Sequence, residues 1–231
     1  MANLQIQRRR RLPLELQCEV ISALPFQHGR RMLLLCNSIA KNCIALIRKQ
    51  KEKFENRWDP TACHYKLALI GPEQLIVQHN GARAGSVLAE NPMSKNPYFE
   101  VESLEQTWTK GFIWIGLATK QMPLNNPVGL DEGTYGYASV GFLCGHEVEE
   151  SFYGVDGRTY SRGMPSFGCS DVVGCGVNLK NGQIIYTKNG ERLDTANLFV
   201  DSAAELFPCI SLFGHGTKIE ANFGPNFKYK F

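Results

Sequence analysis

Two Asn-Gly dipeptides, Asn181-Gly182 and Asn189-Gly190, bracket the run Ile184-Ile185-Tyr186-Thr187, and no other feature narrows the fold so far. A type I′ turn needs two successive residues at φ > 0, which Asn and Gly adopt at least cost. β-branched and aromatic residues between such turns favour a strand. Val172 to Leu193 is therefore expected to form a three-stranded meander with tight turns. The strand period continues elsewhere. Lys218-Ile219-Glu220-Ala221-Asn222-Phe223 alternates polar and apolar without a break, as a strand with one wet face does. Tyr98 to Glu102 sets Phe99 and Val101 on one side and Glu100 and Glu102 on the other. Gly111 to Ala118 is nearly all apolar, the mark of a central strand covered on both faces. With Gly-rich connections and 22 glycines in all, the pattern points to an all-β, two-sheet antiparallel sandwich rather than βαβ units.

The first 55 residues read differently. Residues 1–11 form a basic tail carrying Arg8, Arg9, Arg10 and Arg11, either a solvated tail or an import or phosphate patch. Residues 12–55 read as short helices. Leu16, Val20 and Leu24 recur at four-residue steps, Pro13 is acceptable in a first helical turn, and Pro25 ends the pattern. Met32 to Cys36 forms a second apolar run, and Ser38 is placed to cap a third helix carrying Ile39, Cys43, Ile44 and Ile47. Three short helices are marginal alone, so they are expected to pack together, on the sandwich or on a partner. Residues 56–231 are left for the sandwich.

No apolar stretch approaches the ~20 residues a membrane helix needs. Glu15, Gln17 and Glu19 interrupt the only apolar region near the start, so no signal peptide is expected. The expected location is cytoplasmic, with the nucleus as the alternative the arginine run offers. The eight cysteines show no C-x-x-C pair, and free buried thiols are the expectation. The five histidines lack metalloprotease spacing, and no nucleophile elbow, P-loop or dinucleotide fingerprint occurs. No enzyme activity, cofactor, metal, nucleic acid or membrane partner is expected. A hydrolase or carbohydrate-binding sandwich is the alternative from another class.

In order and spelling the strands resemble the SPRY (B30.2) family. Asn96-Pro97-Tyr98-Phe99-Glu100-Val101, Ile113-Trp114-Ile115-Gly116-Leu117-Ala118-Thr119 and Tyr135-Gly136-Tyr137 carry the likeness. So do Ser170 to Leu179 with Ile184 to Gly190, Leu206 to Leu212, and Asn222-Phe223-Gly224. Asn56-Arg57-Trp58-Asp59-Pro60, Cys63-His64 and Leu69-Ile70-Gly71-Pro72 most resemble Ran-binding-protein-M-like members, and look closest to the secreted-SPRY effector group of plant-parasitic nematodes. Residues 12–55 are similar to an F-box, in which Leu12, Pro13, Leu16, Val20 and Leu24 would meet a Skp-type adaptor of a cullin ubiquitin ligase. The segment departs from that pattern at His28-Gly29.

The resemblance implies a protein-binding module whose loops at one end of the sandwich take a peptide or protein ligand. Rigid strands can hold such loops without disturbing the core. Three loops are candidates. Arg83, with Ser86, lies in the first, where the guanidinium can bond a ligand carboxylate or carbonyl or remain a solvated surface charge. Leu124, Val128 and Leu130 lie in the second, Met122 to Thr134, as exposed contacts or as a cap on the core. Phe213 and His215 lie in the third, where the resemblance puts an aromatic in the pocket. Phe142, Leu143 and Phe152 add an apolar segment that departs from the family. Two arrangements follow: substrate recognition for a ligase through the F-box-like helices, or a stand-alone scaffold or effector in which the helices pad the sandwich.

Overall fold

The computed structural model describes residues 56–95, 97–106, 111–145, 152–153, 159–195, 198–200 and 202–230. All belong to the unit Glu55–Phe231. The F-box-like segment, with Leu12, Pro13, Leu16, Val20 and Leu24, lies outside the described residues. Among the described residues there are strands and turns and no helix.

Two antiparallel sheets make up the unit. Sheet A runs β1 (Trp58–Cys63), β4 (Gly85–Ala89), β14 (Phe207–Phe213), β6 (Phe112–Ala118), β7 (Tyr135–Ala138), β8 (Phe142–Cys144), β10 (Thr159–Ser161), β9 (Phe152–Tyr153). Sheet B runs β13 (Glu191–Arg192), β12 (Gln183–Lys188), β11 (Val172–Asn178), β5 (Tyr98–Glu105), β15 (Lys218–Asn222), β3 (Ile76–His79), β2 (Leu67–Ile70). The sandwich read from the sequence is the fold observed.

Alternation decides what fills the space between the sheets. Ile113, Ile115, Leu117, Tyr137, Ile210 and Leu212 point inward from sheet A, against Val77, Phe99, Val101, Val173, Cys175, Tyr186 and Ile219 of sheet B. Aromatic rings hold the centre. Trp58 lies edge-on to Phe223 at 5.1 Å, Phe99 stacks on Phe223 at 5.7 Å, and Tyr137 meets Tyr186 at 5.5 Å. The Trp58 indole N–H donates to Leu75 O at 3.1 Å, so its one polar atom is satisfied inside the core.

The meander forms as read, but its two turns differ. Asn189 and Gly190 have φ of 53° and 86°, the type I′ pattern. At the other turn only Gly182 is left-handed, at φ 75°, in a four-residue connection that pairs Asn178 with Gln183. Asn181 instead accepts the Gln183 N–H through its side chain at 3.1 Å. A second constraint acts at Gly182, because a methyl there would collide with Val200 O.

Part of the outer face of sheet A is also buried. Met122 and Val128 of the β6–β7 loop pack with Leu88, Ala118 and Cys209 in a second cluster, flanked by Leu124, Trp114 and Phe207. The backbone comes close here because Gly116 and Gly136 lack side chains. A methyl on Gly116 would run into Tyr135 O, and one on Gly136 into Val128 O. This explains why β6 reads as covered on both faces. Gly116→Ala is expected to destabilise the unit by about 1–3 kcal/mol, through overpacking against rigid backbone. Chemical denaturation checks it as a lower midpoint at unchanged slope.

Candidate functional site

Register brings several chain segments to one end of the sandwich. β14 ends at Phe213, opposite Phe112 at the start of β6, while Leu212 opposes Gly85 at the start of β4. On sheet B, Lys218 opposes Glu105 and Gln78, and Leu67 opposes His79. The β1–β2 turn, the β3–β4 loop, the β14–β15 loop and the β7–β8 turn therefore share this end. Phe213 lies 6.0 Å from Phe112, which lies 5.8 Å from Trp114, and all three rings are half-buried. They form an aromatic strip on the outer face of sheet A. Beyond it stand exposed Tyr65, Arg83, Val140 and His215.

His79 ties two of these loops together. Its backbone N–H donates to Thr217 O at 2.8 Å, and its carbonyl accepts from Gly216 N at 2.9 Å. The fully buried ring contacts Arg83 O through Nε2 at 2.7 Å; since a carbonyl only accepts, Nε2 carries the proton. Asn80 N donates to Lys66 O at 2.8 Å, adding the β1–β2 turn. In that turn the His64 and Tyr65 rings are 4.4 Å apart, and Lys66 Nζ lies 5.3 Å from the Tyr65 centroid. Tyr65, Lys66, His79 and Trp114 were not singled out from the sequence as site residues. Their convergence is a product of long-range register, and the one local clue is the shortness of the loop between His79 and Gly85.

The structure divides the remaining candidates. Arg83, Phe213 and His215 come together at this end, with Leu124 half-buried beside them on the outer face of sheet A. Ser86 is not a surface contact. It is fully buried, and its hydroxyl donates to Asn126 O at 2.6 Å and lies 2.7 Å from Ser211 Oγ. Ser211 Oγ in turn accepts from Val128 N at 2.8 Å, and Ser86 N donates to Leu124 O at 2.8 Å. The hydroxyl pair pins the β6–β7 loop onto the sheet. Val128 is likewise fully buried and caps the outer cluster, so it offers no side chain to a ligand. Leu130 follows Gly129, which packs against Cys144 and Gly136, and so sits over β7 and β8, apart from Phe213. The apolar segment read at Phe142 and Leu143 is β8: Leu143 is buried and Arg162 lies over the Phe142 ring at 5.2 Å.

Among the described residues, two cations at this end stand without a carboxylate. Lys66 and Arg83 have no carboxylate partner among the described residues, while Glu105 is already engaged with Lys218 Nζ at 3.4 Å. Burial, then the charge of Lys66 and the neighbouring His79, hold the His64 imidazole below its ordinary value of 6.5. Burial, then the charge of Asp59, pushes the Cys63 thiol beside this turn up to about 11. No group of three or more His, Cys, Asp or Glu among the described residues is arranged to hold a metal ion.

A two-sheet sandwich that gathers exposed aromatic and basic side chains at one loop-built end is an interaction module. The chain belongs to the SPRY domain family, whose model matches residues 96–226. It is 33% identical over 177 residues to the Ran-binding proteins 9/10 homolog of Drosophila melanogaster, covering 72% of this chain and 17% of that protein. Ran-binding protein 9 of Homo sapiens is 30% identical over 223 residues, covering 88% of this chain and 28% of that protein. The chain thus spans less than a third of the length of either relative. A crystal structure of a human SPRY domain superposes with a TM-score of 0.57 at 19% identity, covering 70% of this chain and 98% of that one.

Because the folded protein holds the His64 imidazole below its ordinary value, the unfolded chain takes up that proton first as the pH falls. Stability from this residue is therefore expected to be complete above about pH 6.5 and to fall below it. Thermal unfolding at pH 7.5 and pH 5 in wild type and His64→Gln checks this, with a smaller pH-dependent drop in the variant.

Proposed function

We propose that the end face grips an extended, acidic segment of a partner protein. SPRY domains bind protein or peptide partners, and the observation that carries the finer reading is the company Phe213 keeps. One half-buried aromatic strip lies within a single surface with two cations, Lys66 and Arg83, that no described carboxylate neutralises. An apolar anchor on such a strip excludes water, and carboxylates beside it gain charge-assisted hydrogen bonds from Arg83. The β14 pairing and the His79 tie keep the loops in place, so little ordering cost falls on binding. The test is selection of peptides from a displayed library on the immobilised chain. Enriched sequences are expected to be acidic with one large apolar residue. Phe213→Ala is expected to weaken the selected peptide by about 2 kcal/mol, and Arg83→Ala by about 1 kcal/mol, on the scale of anchor residues. Leu179→Ala, at the opposite end, is expected to bind normally. Equal loss in all three variants would dismiss the end face as the site.

The F-box-like pattern of Leu12, Pro13, Leu16, Val20 and Leu24 supports an arrangement in which this module recruits targets to a cullin-type ligase. Co-purification with a Skp-type adaptor is expected from the full chain, and is expected to vanish in Leu16→Asp with Val20→Asp. A folded wild-type chain that leaves the adaptor unbound favours a scaffold or effector without a ligase link.

A further inference from the structure

On the outer side of sheet B, a carboxylate is buried with no cation against it. Glu100 of β5 is 2% exposed, and no ion pair among the described residues involves it. Alternation puts it on the side expected to be wet; what covers it is the chain beyond β15. Glu100 Oε2 accepts the Lys228 N–H at 2.8 Å, and Oε1 accepts the Tyr229 N–H at 2.8 Å. The Tyr98 hydroxyl donates to Oε1 at 3.0 Å and lies 2.7 Å from Thr187 Oγ1. Two rings complete the clasp: Phe227 stands edge-on to Tyr98 at 4.9 Å, and Tyr229 is tilted against it at 5.8 Å. Space for the Tyr98 ring comes from β11, where a methyl on Gly176 would lie 2.7 Å from that ring and one on Gly174 would strike its hydroxyl.

Receptor and occupant are separable in this arrangement. Tyr98, Glu100, Gly174, Gly176 and Thr187 sit on β5, β11 and β12, held by pairing that does not involve the segment after β15. The occupant is a short linear element, and what is recognised in it is two consecutive backbone N–H groups and an aromatic on either side of one residue. Lys228 and Lys230 remain exposed. Any segment with that spacing presents the same groups. When the segment leaves, Glu100 meets water, in which a carboxylate is well solvated, so opening leaves no charge stranded in the interior.

We propose that the outer face of sheet B is a second peptide-binding site, selective for a Phe-x-Tyr segment, filled in cis by Phe227 to Tyr229 and able to take the same segment in trans from a second copy of the chain. Because Phe227 to Tyr229 belong to the same chain as their site, their effective concentration favours the cis form until it is weakened or outcompeted. This site is independent of the end face.

The probe is a fluorescein-labelled peptide of residues 225–230, followed by fluorescence polarisation against the full chain. Phe227→Ala with Tyr229→Ala, which empties the site, is expected to bind it saturably, and wild type at least about ten-fold more weakly because its own Phe227 to Tyr229 segment competes. Adding Glu100→Gln to the emptied variant is expected to weaken binding by about ten-fold, through loss of the charged acceptor. A folded emptied variant that ignores the probe, or binds it equally well with Glu100→Gln, overturns the proposal. If the emptied variant does not fold, hydrogen exchange in wild type decides. Exchange at the Lys228 and Tyr229 amides is expected to rise with probe concentration, and exchange unchanged at millimolar probe overturns the proposal.

Discussion

Most of what this surface can do hangs on the pairing of β14. Seven consecutive residues, Phe207 to Phe213, keep register with β6, and four of them also pair with β4. A strand hydrogen-bonded on both edges has no freedom to slip, and a slip of one residue would turn every side chain to the opposite face. Ile210 and Leu212 then lie in the core, while Cys209, Ser211 and Phe213 lie on the outer face. The same constraint that seals the interior thus delivers an aromatic to the rim and a hydroxyl to the loop anchor.

That anchor converts a long irregular loop into part of the scaffold. The Ser86 and Ser211 hydroxyls lie 2.7 Å apart in a fully buried setting and bond Asn126 O and Val128 N. Buried polar groups left unpaired are costly, so the hydroxyls and the loop backbone specify one another. Apolar packing by Met122 and Val128 against Leu88 and Cys209 supplies the rest. The loop therefore reinforces the sheet from outside, and the surface open to ligands shifts to the turns around Tyr65, Arg83 and His215.

Local chemistry was legible in the sequence, and long-range cover was not. Asn189-Gly190 was read correctly because a type I′ turn is decided by its own two residues. Asn181 was read wrongly because a four-residue connection places its side chain, not a left-handed backbone, at the turn. Alternation assigned Glu100 to the correct face, but its burial comes from Lys228 and Tyr229, residues that no period links to it. Val128 looked like a loop contact because an outer-face cluster leaves no repeating pattern in a loop, and Ser86 because the start of β4 at Gly85 is not marked by any local period. His79 was overlooked for a similar reason: its neighbours Arg83, Gly216 and Thr217 meet only once β3, β4 and β15 are in place.

The central claim is that a rigid end of the sandwich, not the faces of its sheets, receives the partner that defines this module. Amide hydrogen exchange on the full chain, with and without a saturating selected peptide, tests it most directly. New protection is expected at residues 64–66, 80–85 and 213–217, with the amides of 179–182 and 198–200 unchanged. Protection confined to the opposite end, around the exposed Leu179 and Phe199, would contradict the account.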